Sequence, residues 1–130
     1  MSTPRLVEDF YENIWNDGNL DAAAQLTPEF SLSGSLGKGM QGREEFKMHV
    51  HSVHDALADY RCEILSCVTE EDQAFSKMRL AGRQVAFRGY EPMGKIVHWQ
   101  GAALFRFENS VIAELRVLGD LAWLDALLQA

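Results

Sequence analysis

The sequence predicts an α+β domain in which helices come first and a mostly antiparallel sheet follows. Three observations predict it. Apolar residues recur at helical spacing in two early segments. From Tyr60 onward the period changes to the alternation of strands. The connections between the later strands, Glu70-Glu71-Asp72 and Glu108-Asn109-Ser110, are tight turns, too short for the crossover that parallel neighbours need.

The elements follow in order. Thr3-Pro4 starts a helix with an apolar face of Leu6, Val7, Phe10, Tyr11 and Ile14, which Asn16-Asp17-Gly18 stops. Asn19 caps a short second helix through Leu26, ended by Thr27-Pro28. Phe30 to Leu36 alternates as a short strand. Gly42-Arg43-Glu44-Glu45 opens a third helix with acids in its first turn. Its stripe is Phe46, Val50, Val53 and Leu57, with His49 flanking one side, His54 the other, and His51 pointing away. Strands are expected at 60–69, 73–80 (continuing or paired beside 84–88), 96–107 and 111–118, with a Gly/Pro loop at 89–94. A short apolar helix follows Asp120. A curved sheet with helices over its concave face leaves a pocket between them, where a small molecule would bind.

A chain of 130 residues makes one domain, 1–130, with one hydrophobic core. Twelve Lys and Arg against 19 Asp and Glu leave a net charge of −7, and no basic run offsets it, so nucleic acid is not an expected partner. At 47% apolar and 24% charged residues, general disorder is excluded. No apolar run suits a membrane span and no secretory signal is visible, so a cytoplasmic location is expected. Cys62 and Cys67 are read as reduced thiols; their odd spacing on one strand would put them on opposite faces. The histidines match no metal-ligand spacing and no nucleotide-binding loop exists, so neither metal nor cofactor is expected.

Four segments in order carry a family resemblance. They are Phe10–Asp21, ending Trp15-Asn16-Asp17-Gly18-Asn19-Leu20-Asp21; Gly42-Arg43-Glu44-Glu45-Phe46-Lys47 through Ala58-Asp59-Tyr60-Arg61; Gly82–Lys95, with Gly89-Tyr90-Glu91-Pro92-Met93-Gly94; and Phe105-Arg106-Phe107 through Ile112-Ala113-Glu114 to Asp120. Over nearly its whole length the chain resembles the SnoaL-like polyketide cyclase or ester cyclase family of the nuclear-transport-factor-2-like (NTF2-like) superfamily. The resemblance implies an α+β cone and cofactor-free acid/base chemistry, aldol cyclisation or isomerisation, on a hydrophobic carbonyl compound. It gives Asp120 the proton-transfer role. The family's strand imidazole falls on Gln84, which can donate a hydrogen bond but not relay a proton. A second family imidazole has no counterpart, and the Trp expected near the end is Arg116. The alternatives are a non-catalytic small-molecule binding or sensing protein, or an oligomerisation module.

The candidate catalytic residues are therefore Asp120, equally an ideal helix cap, and Gln84 as an oxyanion stabiliser. Candidate substrate contacts are Tyr11, His49, Tyr90, Trp99 and Arg116. Arg116 has an alternative as the cross-strand partner of Glu114. Phe75, Phe87 and Trp99 supply more strand aromatics than one small core needs, which points to a homodimer through the sheet face.

Overall fold

The computed structural model describes residues 4–19, 26–34, 39–85, 94–120, 123, 124, 126 and 127. Helix α1 (Arg5–Asp9) runs directly into a π-helical segment, Phe10–Asn16. Strand β1 (Leu26–Gly34), the short β2 (Met40–Gln41) and helix α2 (Arg43–Ala56) follow. Four long strands complete the fold: β3 (Leu57–Glu70), β4 (Gln73–Gln84), β5 (Ile96–Glu108) and β6 (Val111–Gly119). All six strands form one curved sheet in the order β2-β1-β6-β5-β4-β3. Every neighbour pair is antiparallel except β1 with β6. This is the expected α+β cone, with a mixed sheet.

The first helix departs from regular α geometry where its aromatic residues fall. Wider turns, seen in the bond from the Asp17 N–H to the Glu12 carbonyl (2.9 Å), bring Phe10, Tyr11, Ile14 and Trp15 onto one buried face. Gly18, at φ 68°, ends it in the left-handed conformation. Asn16 then fastens it to the sheet. Its side-chain amide donates to the Cys62 carbonyl at 3.0 Å, and its oxygen accepts from the Cys62 N–H at 2.7 Å. Strand β3 lies at the edge of the sheet, so this amide takes up main-chain groups that no further strand pairs.

The proposed second helix lies mostly outside the described residues, but its end is corrected. Leu26, Thr27 and Pro28 belong to β1. Pro28 fits there because the register between β1 and β6 is broken between Leu26 and Ser31, where no ladder N–H is needed. The two segments expected at 73–80 and from Gln84 onward are one strand as far as Gln84.

Helix α2 buries Phe46 and Val50 and half-buries Val53, as the stripe requires; Leu57, the last of that stripe, is buried as the first residue of β3. His51 points outward and meets Asp55 at 3.5 Å. His54 stacks on Trp15 at 6.4 Å. The turn between β5 and β6 has positive φ at both Asn109 (50°) and Ser110 (65°), the twist that a two-residue hairpin needs.

Strand β3 does not keep a single parity. Its pairing with β4 shifts between Ala58 and Arg61, and again between Ile64 and Ser66. Each extra residue turns the following side chains over. Cys62 and Cys67 are therefore both buried as free thiols, not on opposite faces.

Trp99 also needs correcting as a sheet-face aromatic: it is 1% exposed and packs inward. Phe75 is exposed on the outer face, opposite Val68 on β3 and Leu104 on β5, both also exposed. Phe87 lies outside the described residues.

Replacing Asn16 by Ala removes both bonds to Cys62 and leaves two edge groups less well satisfied. The expected loss is about 2 kcal/mol in unfolding free energy by chemical denaturation. Amide exchange at Cys62 should accelerate in the same variant, with little change at the core of β5.

Candidate active site

A cavity opens between the inner face of the sheet and the two helices that cover it. The π-helical segment brings Tyr11 and Trp15 to it, and α2 brings His49 and Val53. The sheet contributes Tyr60 and Cys62 from β3, Met78 and Leu80 from β4, Trp99 and Ala103 from β5, and Leu115 and Val117 from β6. Strand alternation selects this set, since Leu80 stands opposite Trp99 and both point inward. Gly101 keeps the wall thin, because a Cβ there would lie 2.9 Å from the Leu118 carbonyl oxygen.

The described lining contains no Asp, Glu, Lys or Arg. Its polar groups are the hydroxyls of Tyr11, Tyr60 and Ser33, the Cys62 thiol, the Trp99 indole and the His49 imidazole. Burial, with the neighbouring Cys62, raises the Tyr11 phenol well above its ordinary range. Tyr60 is raised for the same two reasons, burial first. Burial pushes the Cys62 thiol up to about 12. These three groups stay protonated near neutrality and act as donors. His49 goes the other way: burial lowers its imidazole below 6.5 and keeps it neutral. Its ring stands edge-on to Trp15 at 5.8 Å.

The residues singled out from the sequence divide into three groups. Tyr11, His49 and Trp99 line the cavity. Tyr90 lies outside the described residues. Gln84, Asp120 and Arg116 are described but are not in the lining.

Gln84 is 1% exposed at the end of β4, opposite Leu57, and no described residue bonds either of its amide atoms. It is a buried strand Gln, not a solvated one. Asp120 is exposed directly after the cavity-lining Gly119. Its side-chain oxygen accepts from the Trp123 N–H at 3.1 Å, the bond of a helix cap.

Arg116 is corrected as a cavity contact. It alternates with Leu115 and Val117, which line the cavity, and so emerges exposed on the opposite face. Glu114 approaches Arg106, at 4.0 Å. His98 likewise faces away from Trp99, and its ring lies 5.9 Å from that of Trp123.

Tyr60 was not singled out from the sequence. Asp59, at a positive φ of 57°, accompanies the first bulge of β3 and helps turn the next side chain inward, which the residues alone do not signal. Among the described residues no group of His, Cys, Asp and Glu could hold a metal ion, and no helix is long and apolar enough to cross a membrane.

The sequence profile of the SnoaL-like polyketide cyclase family matches residues 5–127, and the chain belongs to that family. Solved structures agree in fold. A candidate SnoaL-like polyketide cyclase from Jannaschia sp. CCS1 superposes with a TM-score of 0.87 at 21% identity, covering 100% of this chain and 97% of its own. AclR, a candidate hydroxylase from Streptomyces galilaeus, gives 0.82 at 18% identity over 96% and 93%. A protein of ketosteroid isomerase-like fold from Catenulispora acidiphila, crystallised with trimethylamine, gives 0.85 at 16% identity over 98% and 95%. A search of curated proteins found no match.

Two outcomes follow from the site. A buried amide without partners is costly, so Gln84→Met should raise unfolding free energy by about 1 kcal/mol while weakening any ligand that bonds the amide. For His49, the unfolded chain binds a proton that the folded protein resists. The stability this group contributes is present above 6.5 and is lost as pH falls through its lowered folded value. The urea midpoint should therefore fall between neutral and mildly acidic pH, with a shallower fall in His49→Gln.

Proposed function

We propose that the cavity binds a neutral, largely apolar, carbonyl-bearing molecule and moves a proton on it without a cofactor, in an aldol cyclisation or an isomerisation. The observation that carries this reading is the make-up of the lining. Aromatic and aliphatic walls surround a few hydrogen-bonding groups, and no described wall residue is formally charged near neutrality. Such a site favours uncharged ligands, because burying an unpaired charge is costly. It also suits a developing enolate, which the hydroxyls of Tyr11 and Tyr60 could stabilise.

Family membership supports the same chemistry. Gln84 stands where the family resemblance puts a strand imidazole, with an amide that no described residue bonds. The family pattern gives proton transfer to Asp120, which here is exposed next to Gly119 and outside the described lining. A non-catalytic binding role is the second reading, favoured by Gln84 in that imidazole's place.

The outer face bears on assembly. Val68, Phe75, Leu104 and Leu118 are all exposed there, and this apolar surface supports a homodimer through the sheet. Sedimentation should show a dimer that Phe75→Glu converts to a monomer; a monomeric wild type would remove the proposal.

Binding can be tested with 2-naphthol, a flat neutral phenol whose absorption overlaps tryptophan emission. Trp15 and Trp99 line the cavity, so saturable quenching is expected, and it should be lost in Ala103→Phe, which fills the space between them and β6. Quenching that does not saturate, or that survives Ala103→Phe, would count against the cavity as the site.

A further inference from the structure

We infer that His49, on helix α2, is the catalytic residue that accepts the substrate proton in this cavity. The inference rests on the reading of the cavity as a site for a carbonyl compound. Its basis is an inventory of the described lining.

A base must touch the substrate. Among the described lining residues there is no carboxylate and no amine. The side chains that can exchange a proton are Tyr11, Tyr60, Cys62 and His49. The first three hold their protons near neutrality because they are buried. His49 alone combines a place in the wall with a ring that is uncharged at neutral pH and retains one nitrogen lone pair. Its one ring contact among the described residues is the edge-on packing against Trp15. That contact holds the ring without engaging a ring nitrogen in a hydrogen bond. Asp120, in contrast, is exposed, and one of its oxygens caps the Trp123 N–H.

The surroundings of His49 fit this assignment. The π-helical segment brings Phe10, Tyr11 and Trp15 to the cavity beside it, β3 brings Tyr60 and Cys62 as its ionisable groups, and the described lining residues of β1, β2, β4, β5 and β6 are not ionisable. On α2 itself, Glu45 one turn earlier is exposed, and His54 packs against Trp15 and Tyr60. Burial is the one cause that lowers the ring's affinity for a proton, with no charged neighbour contributing.

The step balances without an oxidant or reductant. A ring nitrogen of His49 takes the proton from the carbon next to the carbonyl. The electron pair of that C–H bond becomes the carbon–carbon double bond of the enolate, and the carbonyl oxygen carries the charge. The hydroxyl of Tyr11 or Tyr60 donates to that oxygen. In a cyclisation the enolate carbon attacks a second carbonyl of the same molecule, and the imidazolium returns its proton to the new alkoxide. In an isomerisation the proton returns to a different carbon.

The test uses 2-tetralone, whose activated methylene exchanges with D2O and is followed by proton NMR. Wild-type protein should accelerate the exchange, and the rate should rise with pH to a plateau with its inflection below 6.5. His49→Gln should lower the protein-dependent rate by ~10²–10⁴-fold while still binding 2-naphthol. Exchange at the wild-type rate in His49→Gln overturns the assignment and leaves the proposed function standing. Loss of exchange in Asp120→Asn with retention in His49→Gln moves the role to Asp120. If His49→Gln fails to fold, the wild-type profile decides, and a flat profile across that inflection overturns the assignment. No acceleration by wild type removes this assignment and the proposed function together.

Discussion

The pair of hydrogen bonds between the Asn16 side chain and the Cys62 main chain holds the cavity together. It joins the end of the π-helical segment to the edge strand of the sheet. Because the segment is fixed there, Tyr11 and Trp15 hang over the inner face, and Phe10 can pack against Phe46 at 5.7 Å and Phe105 at 5.5 Å. An amide suits this task better than an apolar contact. It satisfies both a donor and an acceptor on a strand with no further neighbour, and its direction sets the register of helix against sheet.

The two irregularities of β3 complete the wall. A strand of fourteen residues with unbroken alternation would have placed Leu57 and Tyr60 on opposite faces, and Cys62 and Cys67 likewise. The extra residue in each interval brings all four inward. Bulges also bend a strand, which suits a sheet that must curve around a cavity. The result is a wall with two aromatic hydroxyls, one from the covering helix and one from the strand, and no formally charged residue among those described in the lining.

That arrangement separates membership of the family from the identity of its working groups. The chain shares the fold and profile of SnoaL-like proteins, yet a fold carries many chemistries and the side chains decide among them. Gln84 is buried without a hydrogen-bond partner among the described residues, and one Asp120 oxygen is engaged at a helix end. The half-buried imidazole of His49, on α2, stands in the cavity wall instead.

Much of this protein was legible from its residues. Periodicity located α2, the long strands and their turns, because a helix or strand with one buried face must repeat its apolar residues at its own period. The four ordered segments identified the family. Alternation put Trp99 and His98 on opposite faces, and only the packed sheet shows that Trp99 is the one turned inward. The site was only partly legible. Tyr11, His49 and Trp99 reach the cavity, but nothing local distinguishes Arg116, whose face depends on the parity of β6 relative to the covering helices. The bulges of β3 were equally hidden: an extra residue is defined only by the strand opposite, so Tyr60 and the shared face of Cys62 and Cys67 emerged with the pairing to β4. Periodicity is a property of one segment and can be read from it. Register and burial are relations between segments distant in sequence, and only the packed structure decides them.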